Sequence, residues 1–228
     1  MEAPVVDAPR RPRAAAGEIA ILCAVPPERR ALGAVLRPGV TLQSSGMGAE
    51  AAERAAALLV ARPLRAIVAA GFCGALDRSL SVGDLVAAES VVEERTGRAF
   101  PADPGLLAAA PGRRGTLVSA ERLARTPADR ARLEGLAVDL ESAAVAAAAA
   151  AAGVPFLALR AVTDEVEHVL PDFDRLTDAA GRLTPGAGLL YFLVHPGELR
   201  SLLRLGRGAR TAGAALGRGV DELLGELG

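Results

Sequence analysis

The sequence contains no lysine, and all 26 of its basic residues are arginine. This absence excludes Schiff-base chemistry and a Walker-type phosphate loop, because both need a lysine side chain. Aromatic residues are also scarce, with no tryptophan and a single tyrosine, Tyr191. Stacking platforms for single-stranded nucleic acid are therefore not expected. The formal net charge of −1 likewise provides no basic surface for nucleic acid.

Histidine and cysteine are almost as scarce, with two residues of each. No G-x-S-x-G motif accompanies His168 or His195, so a Ser-His-Asp triad is not indicated. Cys23 and Cys73 lie far apart in apolar runs, which predicts buried thiols in a reducing compartment rather than a disulfide or a zinc site. We therefore expect no metal and no cofactor. Proton transfer near neutral pH is left mainly to Asp and Glu.

The length of 228 residues suits one sizeable domain. Residues 1–17 are rich in Pro, Ala and Arg and are predicted to be a disordered tail. Arg10 and Arg11 could begin a twin-arginine export signal, but Glu18 interrupts the apolar stretch that would have to follow. Because no run is long and apolar enough to span a membrane, we expect a cytoplasmic protein.

Apolar runs alternate with helical segments along the rest of the chain. This alternation predicts a single α/β domain with a mainly parallel, twisted central sheet flanked by helices. The predicted strands are residues 19–25, 40–44, 64–70, 85–92, 115–119, 135–140 and 155–162. The predicted helices are residues 28–36, residues 49–61, an alanine-rich helix that Ser142 caps and Gly153 ends, and a helical C-terminal part at 172–228. Residues 71–74 are predicted to form a glycine-rich turn, and residues 93–114 a polar surface excursion.

Chemically useful residues follow three of these strands. Gly71 to Gly74 follow the predicted strand at 64–70. Asp139 and Glu141 lie at the end of the predicted strand at 135–140, and Asp164 lies after the predicted strand at 155–162. Ligands of open α/β sheets bind at the carboxyl ends of the strands, so these groups are expected to meet in one site. Gly46-Met47-Gly48, before the helix at 49–61, either cradles an anion at the helix N-terminus or is only a tight turn.

Six short motifs in this order resemble the superfamily of purine nucleoside phosphorylases and methylthioadenosine/S-adenosylhomocysteine nucleosidases. They are Pro26-Pro27-Glu28, Ser45-Gly46-Met47-Gly48, Gly71-Phe72-Cys73-Gly74, Val82-Gly83-Asp84, Val138-Asp139-Leu140-Glu141-Ser142 and Arg160-Ala161-Val162-Thr163-Asp164. The resemblance covers about residues 18–165 and implies a nucleoside phosphorylase-like domain at 18–228. Leu170-Pro171-Asp172-Phe173 and His195-Pro196-Gly197-Glu198-Leu199 are similar to the hopanoid-associated phosphorylase branch.

The resemblance implies cleavage of the N-glycosidic bond of a purine nucleoside or an adenosyl-linked compound, adenosylhopane in the hopanoid branch. It assigns Asp164 as the acid at purine N7, Glu28 as the residue that activates water, and Glu141 as the ligand of the ribose hydroxyls. A carboxylate near the sugar would stabilise the positive charge that develops on it in the transition state. The other implied substrate-binding residues are Leu140, Asp139, Gly71, Phe72, Gly74, Met47 and Ser119.

The chain departs from the family pattern at several positions. Phe72 stands where the nucleosidases commonly have serine, and Leu123 where they stack an aromatic residue on the base. The run at 67–70 lacks the arginine that phosphorylases carry there, which favours water over phosphate as the nucleophile. The hopanoid resemblance favours phosphate instead. A non-catalytic nucleoside-binding module on the same fold is the main alternative, and an unrelated small-molecule enzyme is a second.

The relatives also imply a homo-oligomer with a nucleoside substrate and water or phosphate as co-substrate. The C-terminal arginines Arg200, Arg204 and Arg207 alternate with leucines. Such a helix could lie weakly on a membrane surface, or it could pack on the domain with one solvated face.

Overall fold

The computed structural model describes residues 17–171 and 196–228. Within these ranges the strands are β1 (Glu18–Cys23), β2 (Val40–Ser44), β3 (Leu64–Ala75), β4 (Leu85–Glu93), β5 (Ala99–Pro101), β6 (Arg113–Ser119), β7 (Ala137–Asp139) and β8 (Phe156–Asp164). The helices are α1 (Pro26–Gly33), α2 (Ala49–Val60), α3 (Pro104–Ala109), α4 (Pro127–Arg130), α5 (Ser142–Ala152) and α6 (Pro196–Leu227). Residues 1–16 of the tail predicted at 1–17 lie outside the described residues. So do residues 172–195 of the predicted helical C-terminal part, which include Asp172, Phe173 and His195.

The eight strands found among the described residues belong to one sheet that is mainly parallel. β1 pairs in parallel with β2 and β3, and β3 pairs in parallel with β8. β4 pairs in parallel with β6 and antiparallel with β5 and β8, while the short β7 connects β6 to β3. The single α/β domain with a mainly parallel central sheet is therefore confirmed.

Helices cover both faces of the sheet, which explains why the strands are apolar on both sides. Alternate residues of β1 point to opposite faces: Ala20 and Leu22 join the core under α2 and α5, and Ile19 and Ile21 join the core under α1, α3 and α6. The alanines of α5 let this helix approach the sheet closely. Gly153 ends α5 in the left-handed conformation (φ 66°), as the sequence predicts.

The glycine-rich turn predicted at 71–74 is wrong, because β3 continues through these residues to Ala75. Gly71 pairs with Arg160, and Gly74 pairs with Asp164 of β8. Glycine within a strand commonly marks a place where another group approaches the backbone closely, and the candidate site lies at this place.

Two further predictions are wrong. Residues 93–114 contain β5 and α3 rather than only a surface excursion, and Phe100, Leu106 and Ala110 are buried in the two cores. Asp103 caps α3 by accepting hydrogen bonds from the N–H groups of its first turn. Ser142 does not cap α5, because the N-cap residue is Glu141 and Ser142 is the first helical residue.

The C-terminal half of α6 packs on the domain through small and branched residues such as Ala212, Leu216 and Val220. Its start is more exposed, with Leu203 about half accessible to solvent. No helix within residues 17–171 and 196–228 is long and apolar enough to cross a membrane.

Candidate active site

Three buried carboxyl groups lie at the end of the sheet where β1, β3 and β8 finish. Glu28 is on α1 directly after β1, Glu141 follows β7, and Asp164 is the last residue of β8. Each is less than one tenth exposed. Because buried carboxyl groups are rare unless they have partners, the contacts of each one show what holds it there.

Glu28 is held by three backbone N–H groups. Its Oε2 accepts hydrogen bonds from the N–H of Ala24 (2.7 Å) and Val25 (2.9 Å), and its Oε1 accepts one from the N–H of Phe72 (2.7 Å). The first two bonds lie at the start of α1, where backbone N–H groups have no partner within the helix. The third connects Glu28 to β3, so both carboxylate oxygens are fixed in position.

Glu141 contacts the start of α2. Its Oε1 accepts a hydrogen bond from the N–H of Gly48 at the start of α2 (2.8 Å), where φ is +92° and glycine is strongly favoured. The anion at the start of α2 is thus the protein's own carboxylate. Burial, and then the nearby charge of Asp139, raise the pKa of Glu141 to about 7, while Arg160 and the Gly48 N–H oppose the rise.

Arg160 lies beneath these groups and balances part of their charge. Its Nη2 pairs with Oδ2 of Asp139 (2.6 Å) and donates to the Ser142 hydroxyl (2.7 Å). The Asp139 carboxylate also accepts the backbone N–H of Ser142. Arg160 and Asp139 are buried, so both ionic groups of this pair are satisfied without water. Asp139 thus contacts both Arg160 and the start of α5, and its predicted contact with substrate stays a prediction.

Asp164 is held by two side chains. Oδ2 accepts a hydrogen bond from Nη2 of the buried Arg130, and Oδ1 lies 2.6 Å from the hydroxyl of Thr163. Burial raises the pKa of Asp164 above its ordinary value, while Arg130 and the Thr163 hydroxyl act in the opposite direction. A raised pKa is the property that a carboxylic acid needs to donate a proton near neutral pH.

Gly71 and Gly74 leave the space that these side chains occupy. A Cβ atom on Gly71 would lie 2.7 Å from Oε1 of Glu28 and would overlap the Arg160 guanidinium. A Cβ atom on Gly74 would lie 3.0 Å from Oδ2 of Asp164. The two glycines therefore admit protein side chains to the strand. That Gly71 and Gly74 also contact substrate stays a prediction.

The other predicted site residues lie around this centre with different contacts. Phe72 contributes its backbone N–H to Glu28, while its ring packs towards Gly213 of α6. Ser119 is buried, and its hydroxyl accepts the N–H of Ala143 (3.2 Å). Leu140 packs beside Ala120, Ala124 and Val138. Met47 and Leu123 are exposed, and His168 accepts the backbone N–H of Glu165 through Nδ1.

An open groove of about 970 Å³ lies between α2 and α5 and reaches Ser119 and Leu140. Alanines of the two helices form part of its walls, and the charged lining residues are Glu50, Glu53, Glu93, Arg95, Arg98 and Glu121. Glu28, Glu141 and Asp164 do not line it. We therefore define the candidate site by the three carboxyl groups and regard the groove as a neighbouring surface.

Two buried arginines that pair with the carboxyl groups of this region were not predicted from the sequence. Arg160 interrupts a strand whose nine residues are all buried, and a charge at such a position requires a buried partner. The apolar run around Arg160 could therefore have predicted a buried ion pair from the sequence. Arg130 has no such signal, because it ends a four-residue helix in a polar segment. In residues 17–171 and 196–228, no group of three or more His, Cys, Asp or Glu side chains is arranged to hold a metal ion.

The fold is that of an α/β protein with three buried carboxyl groups at one end of its sheet. The sequence profile of the phosphorylase superfamily matches residues 28–184, and the chain belongs to this superfamily. A search of curated proteins gave no match.

Solved structures of nucleosidases share the fold. The chain is similar to 5′-methylthioadenosine/S-adenosylhomocysteine nucleosidase from Neisseria meningitidis, solved with methylthio-immucillin-A, with 20% identity over 91% of this chain and 98% of that chain and a TM-score of 0.71. S-adenosylhomocysteine nucleosidase from Streptococcus pyogenes, with 5-methylthiotubericidin, gives 20% identity, coverages of 95% and 100%, and a TM-score of 0.72. The chain is also similar to futalosine hydrolase from Helicobacter pylori, with 14% identity over 92% of this chain and 98% of that chain and a TM-score of 0.69.

Proposed function

We propose that this protein hydrolyses the N-glycosidic bond of a purine nucleoside, with an adenosyl-type compound as the substrate class. The observation that carries the proposal is the convergence of Glu28, Glu141 and Asp164, buried and individually oriented, at one end of the sheet of a phosphorylase-superfamily chain. The names of the similar solved structures, which include methylthioadenosine, S-adenosylhomocysteine and futalosine, support the substrate class.

Glu141 would bind the ribose. Glycosidic cleavage passes through a transition state in which the sugar carries positive charge, and a nearby carboxylate stabilises that charge in a buried site. With a pKa of about 7, Glu141 is present in both protonation states near neutral pH, and a cationic sugar favours the carboxylate. The same side chain can accept hydrogen bonds from the ribose hydroxyls.

Glu28 would activate the attacking water. A carboxylate has about four lone-pair positions, and backbone N–H groups use three of those of Glu28. The remaining position is available to accept a proton from one water molecule. Because the three bonds fix the carboxylate, the water that it binds is held in a defined direction, which lowers the entropy cost of attack.

Asp164 would act as the general acid at N7 of the base. Its pKa is raised by burial, so that it carries a proton at higher pH than an exposed aspartic acid does. Proton donation to the base allows the pair of electrons of the C1′–N9 bond to leave with it. A positioned acid of this kind typically accelerates a reaction by about 100- to 10,000-fold.

Two features support water rather than phosphate as the nucleophile. The guanidinium that approaches Gly71 belongs to Arg160, which is buried and already paired with Asp139 and Ser142. A phosphate dianion at this place would instead meet the carboxylate of Glu28, and like charges at short distance repel strongly in a buried site.

We propose further that the enzyme is cytoplasmic and forms a homo-oligomer. Adenosylhopane is one adenosyl compound to be tested as its substrate.

Leu203 supports a weak membrane-surface contact, because it is exposed at the start of α6 next to Arg204. Light scattering in solution would determine the oligomeric state. Sedimentation with anionic vesicles would test the membrane contact, and protein that stays in the supernatant at low salt would contradict it.

The test of the function is base release from adenosine, methylthioadenosine, S-adenosylhomocysteine, futalosine and an adenosyl lipid. Asp164→Asn is expected to lower kcat at least 100-fold, because an amide cannot supply the proton. Asp221→Asn provides a matched control, because Asp221 is an exposed acid on α6 that pairs with Arg37 and has no part in the candidate site. Tight nucleoside binding without base release by the folded wild-type protein would support a binding module instead.

A further inference from the structure

Arg130 is a fully buried arginine that the proposed reaction does not yet use. It ends α4 and is 2% exposed. Its Nε donates to the carbonyl of Ala124 (3.2 Å), its Nη1 donates to the carbonyl of Glu165, and its Nη2 pairs with Oδ2 of Asp164. Removing a guanidinium from water is costly, so a buried arginine at this position requires strong partners or a function.

We propose that Arg130 is a positioning residue for Asp164, which places the acid's proton on Oδ1 and stabilises the carboxylate that remains when the proton leaves. The inference rests on the proposed function, because it concerns how the acid of that reaction works. Arg130 is too deeply buried to contact substrate in this arrangement, so it acts through Asp164.

The position of the proton follows from the inventory of donors and acceptors. A guanidinium has donors only, so Oδ2 of Asp164 must accept from Arg130 and leaves Oδ1 to carry a proton. The Thr163 hydroxyl has one proton and lies near two acceptors, the carbonyl of Cys73 (3.2 Å) and Oδ1 of Asp164 (2.6 Å). When Asp164 is protonated on Oδ1, Thr163 can donate to the carbonyl of Cys73. The Oδ1 proton is then donated to the Thr163 oxygen in the free protein and to N7 when substrate is bound.

Proton transfer then creates a charge that Arg130 is placed to compensate. The Oδ1–H bond breaks, the proton binds to the lone pair of N7, and the electron pair of the C1′–N9 bond moves to the base. Asp164 becomes an anion in a buried environment, where an unpaired charge is costly. The guanidinium on Oδ2 stabilises this anion, and the Thr163 hydroxyl can turn its proton from Cys73 to Oδ1.

The groups around Asp164 define how its titration responds. Arg130 on α4 and His168 in the turn after β8 favour its ionised form, and the thiol of Cys73 on β3 is its third titratable neighbour. Gly74 provides room for the pair, because its Cβ position lies 3.0 Å from Oδ2 of Asp164 and 3.7 Å from Nη2 of Arg130. Loss of the positive charge of Arg130 therefore raises the pKa of Asp164.

The experiment compares the pH dependence of kcat/KM in the full-length wild-type protein and in Arg130→Met, Arg130→Lys and Arg132→Met. Activity requires protonated Asp164, so the rate falls as pH rises through its pKa. In Arg130→Met we expect this basic limb to move up by about one pH unit and kcat to fall at least tenfold. Arg130→Lys retains the charge and should keep the limb near its wild-type position. Arg132, an exposed neighbour paired with Asp129, is the matched control and should change neither quantity.

A second readout does not depend on turnover. The ¹³C signal of the Asp164 carboxyl group, assigned by its absence in Asp164→Asn, should titrate at higher pH in Arg130→Met than in the wild type. An unchanged basic limb together with an unchanged titration midpoint would overturn the proposal. Should Arg130→Met fail to fold, Arg130→Gln takes its place: an upward shift of the basic limb and of the titration midpoint supports the positioning role, and no shift of either refutes it. Failure of the wild-type protein to release base would refute the proposed function itself.

Discussion

Replacing Glu141 by glutamine tests the electrostatics of the site most sharply. The two side chains have nearly the same shape, and the glutamine carbonyl can still accept the N–H of Gly48. The substitution removes a carboxyl group whose ionisation is opposed by the charge of Asp139 and favoured by the charge of Arg160. The effect on stability should therefore depend on pH in a direction that the pKa of Glu141 determines.

The folded protein raises the pKa of Glu141 from its ordinary value of 4.5 to about 7. Between these values the folded state binds more protons than the unfolded state, so this residue makes folding less favourable as pH rises. Each pKa unit corresponds to about 1.4 kcal/mol. From pH 5 to pH 8 the wild-type protein should therefore lose about 2–3 kcal/mol relative to Glu141→Gln.

Thermal unfolding at the two pH values measures this difference. For a chain of this length a stability change of 1 kcal/mol shifts Tm by about 2–4 °C. The Tm of Glu141→Gln minus that of the wild type should therefore increase by about 5–10 °C from pH 5 to pH 8. Base release should fall at the same time, because the charge that stabilises the sugar cation is gone. An exposed acid on α2, Glu53, serves as the control, and Glu53→Gln should show no such pH-dependent gain. A Tm difference that is the same at pH 5 and pH 8 would refute the reasoning.

Two further substitutions test the geometry of the site. In Glu28→Gln the amide NH₂ group must face a backbone N–H in either orientation, and the unpaired buried donor costs about 1–3 kcal/mol. Both Tm and kcat should therefore fall. An unchanged Tm would show that Glu28 is not held as described. Gly71→Ala should lower activity and stability, because its methyl group would displace Glu28 and Arg160; Gly33→Ala, which has open space around its Cβ position, should be neutral or slightly stabilising. Equal behaviour of the two alanine variants would contradict the close approach at Gly71.

Hydrophobic pattern alone predicted most of the strands. Buried runs such as that of β1 are continuous because helices cover both faces of the sheet, and the predicted strand at 40–44 coincides with β2. The glycines at 71–74 misled the prediction, because glycine is typical both of turns and of strands that another group approaches. Only the contacts of Gly71 with Glu28 and Arg160 distinguish the two, and these contacts join distant parts of the chain.

The candidate site was predicted less completely than the fold. The resemblance to a family predicted Glu28, Glu141 and Asp164 as site residues, and the structure buries all three at one end of the sheet. Their partners could not be predicted in the same way. Arg130 and Asp164 are 34 residues apart, and the pair forms only when the fold brings α4 to the end of β8.

Hydrolysis itself is tested most directly by the release of free base in buffer without phosphate. Methylthioadenosine, S-adenosylhomocysteine, futalosine and an adenosyl lipid would each be incubated with the wild-type protein, with and without added phosphate, and the base and the sugar product would be quantified. We predict free base and an unphosphorylated sugar product from at least one substrate, at a rate that phosphate does not increase. Base release only in the presence of phosphate, with a sugar 1-phosphate as product, would contradict hydrolysis, and no base release from any substrate would contradict glycosidic cleavage altogether.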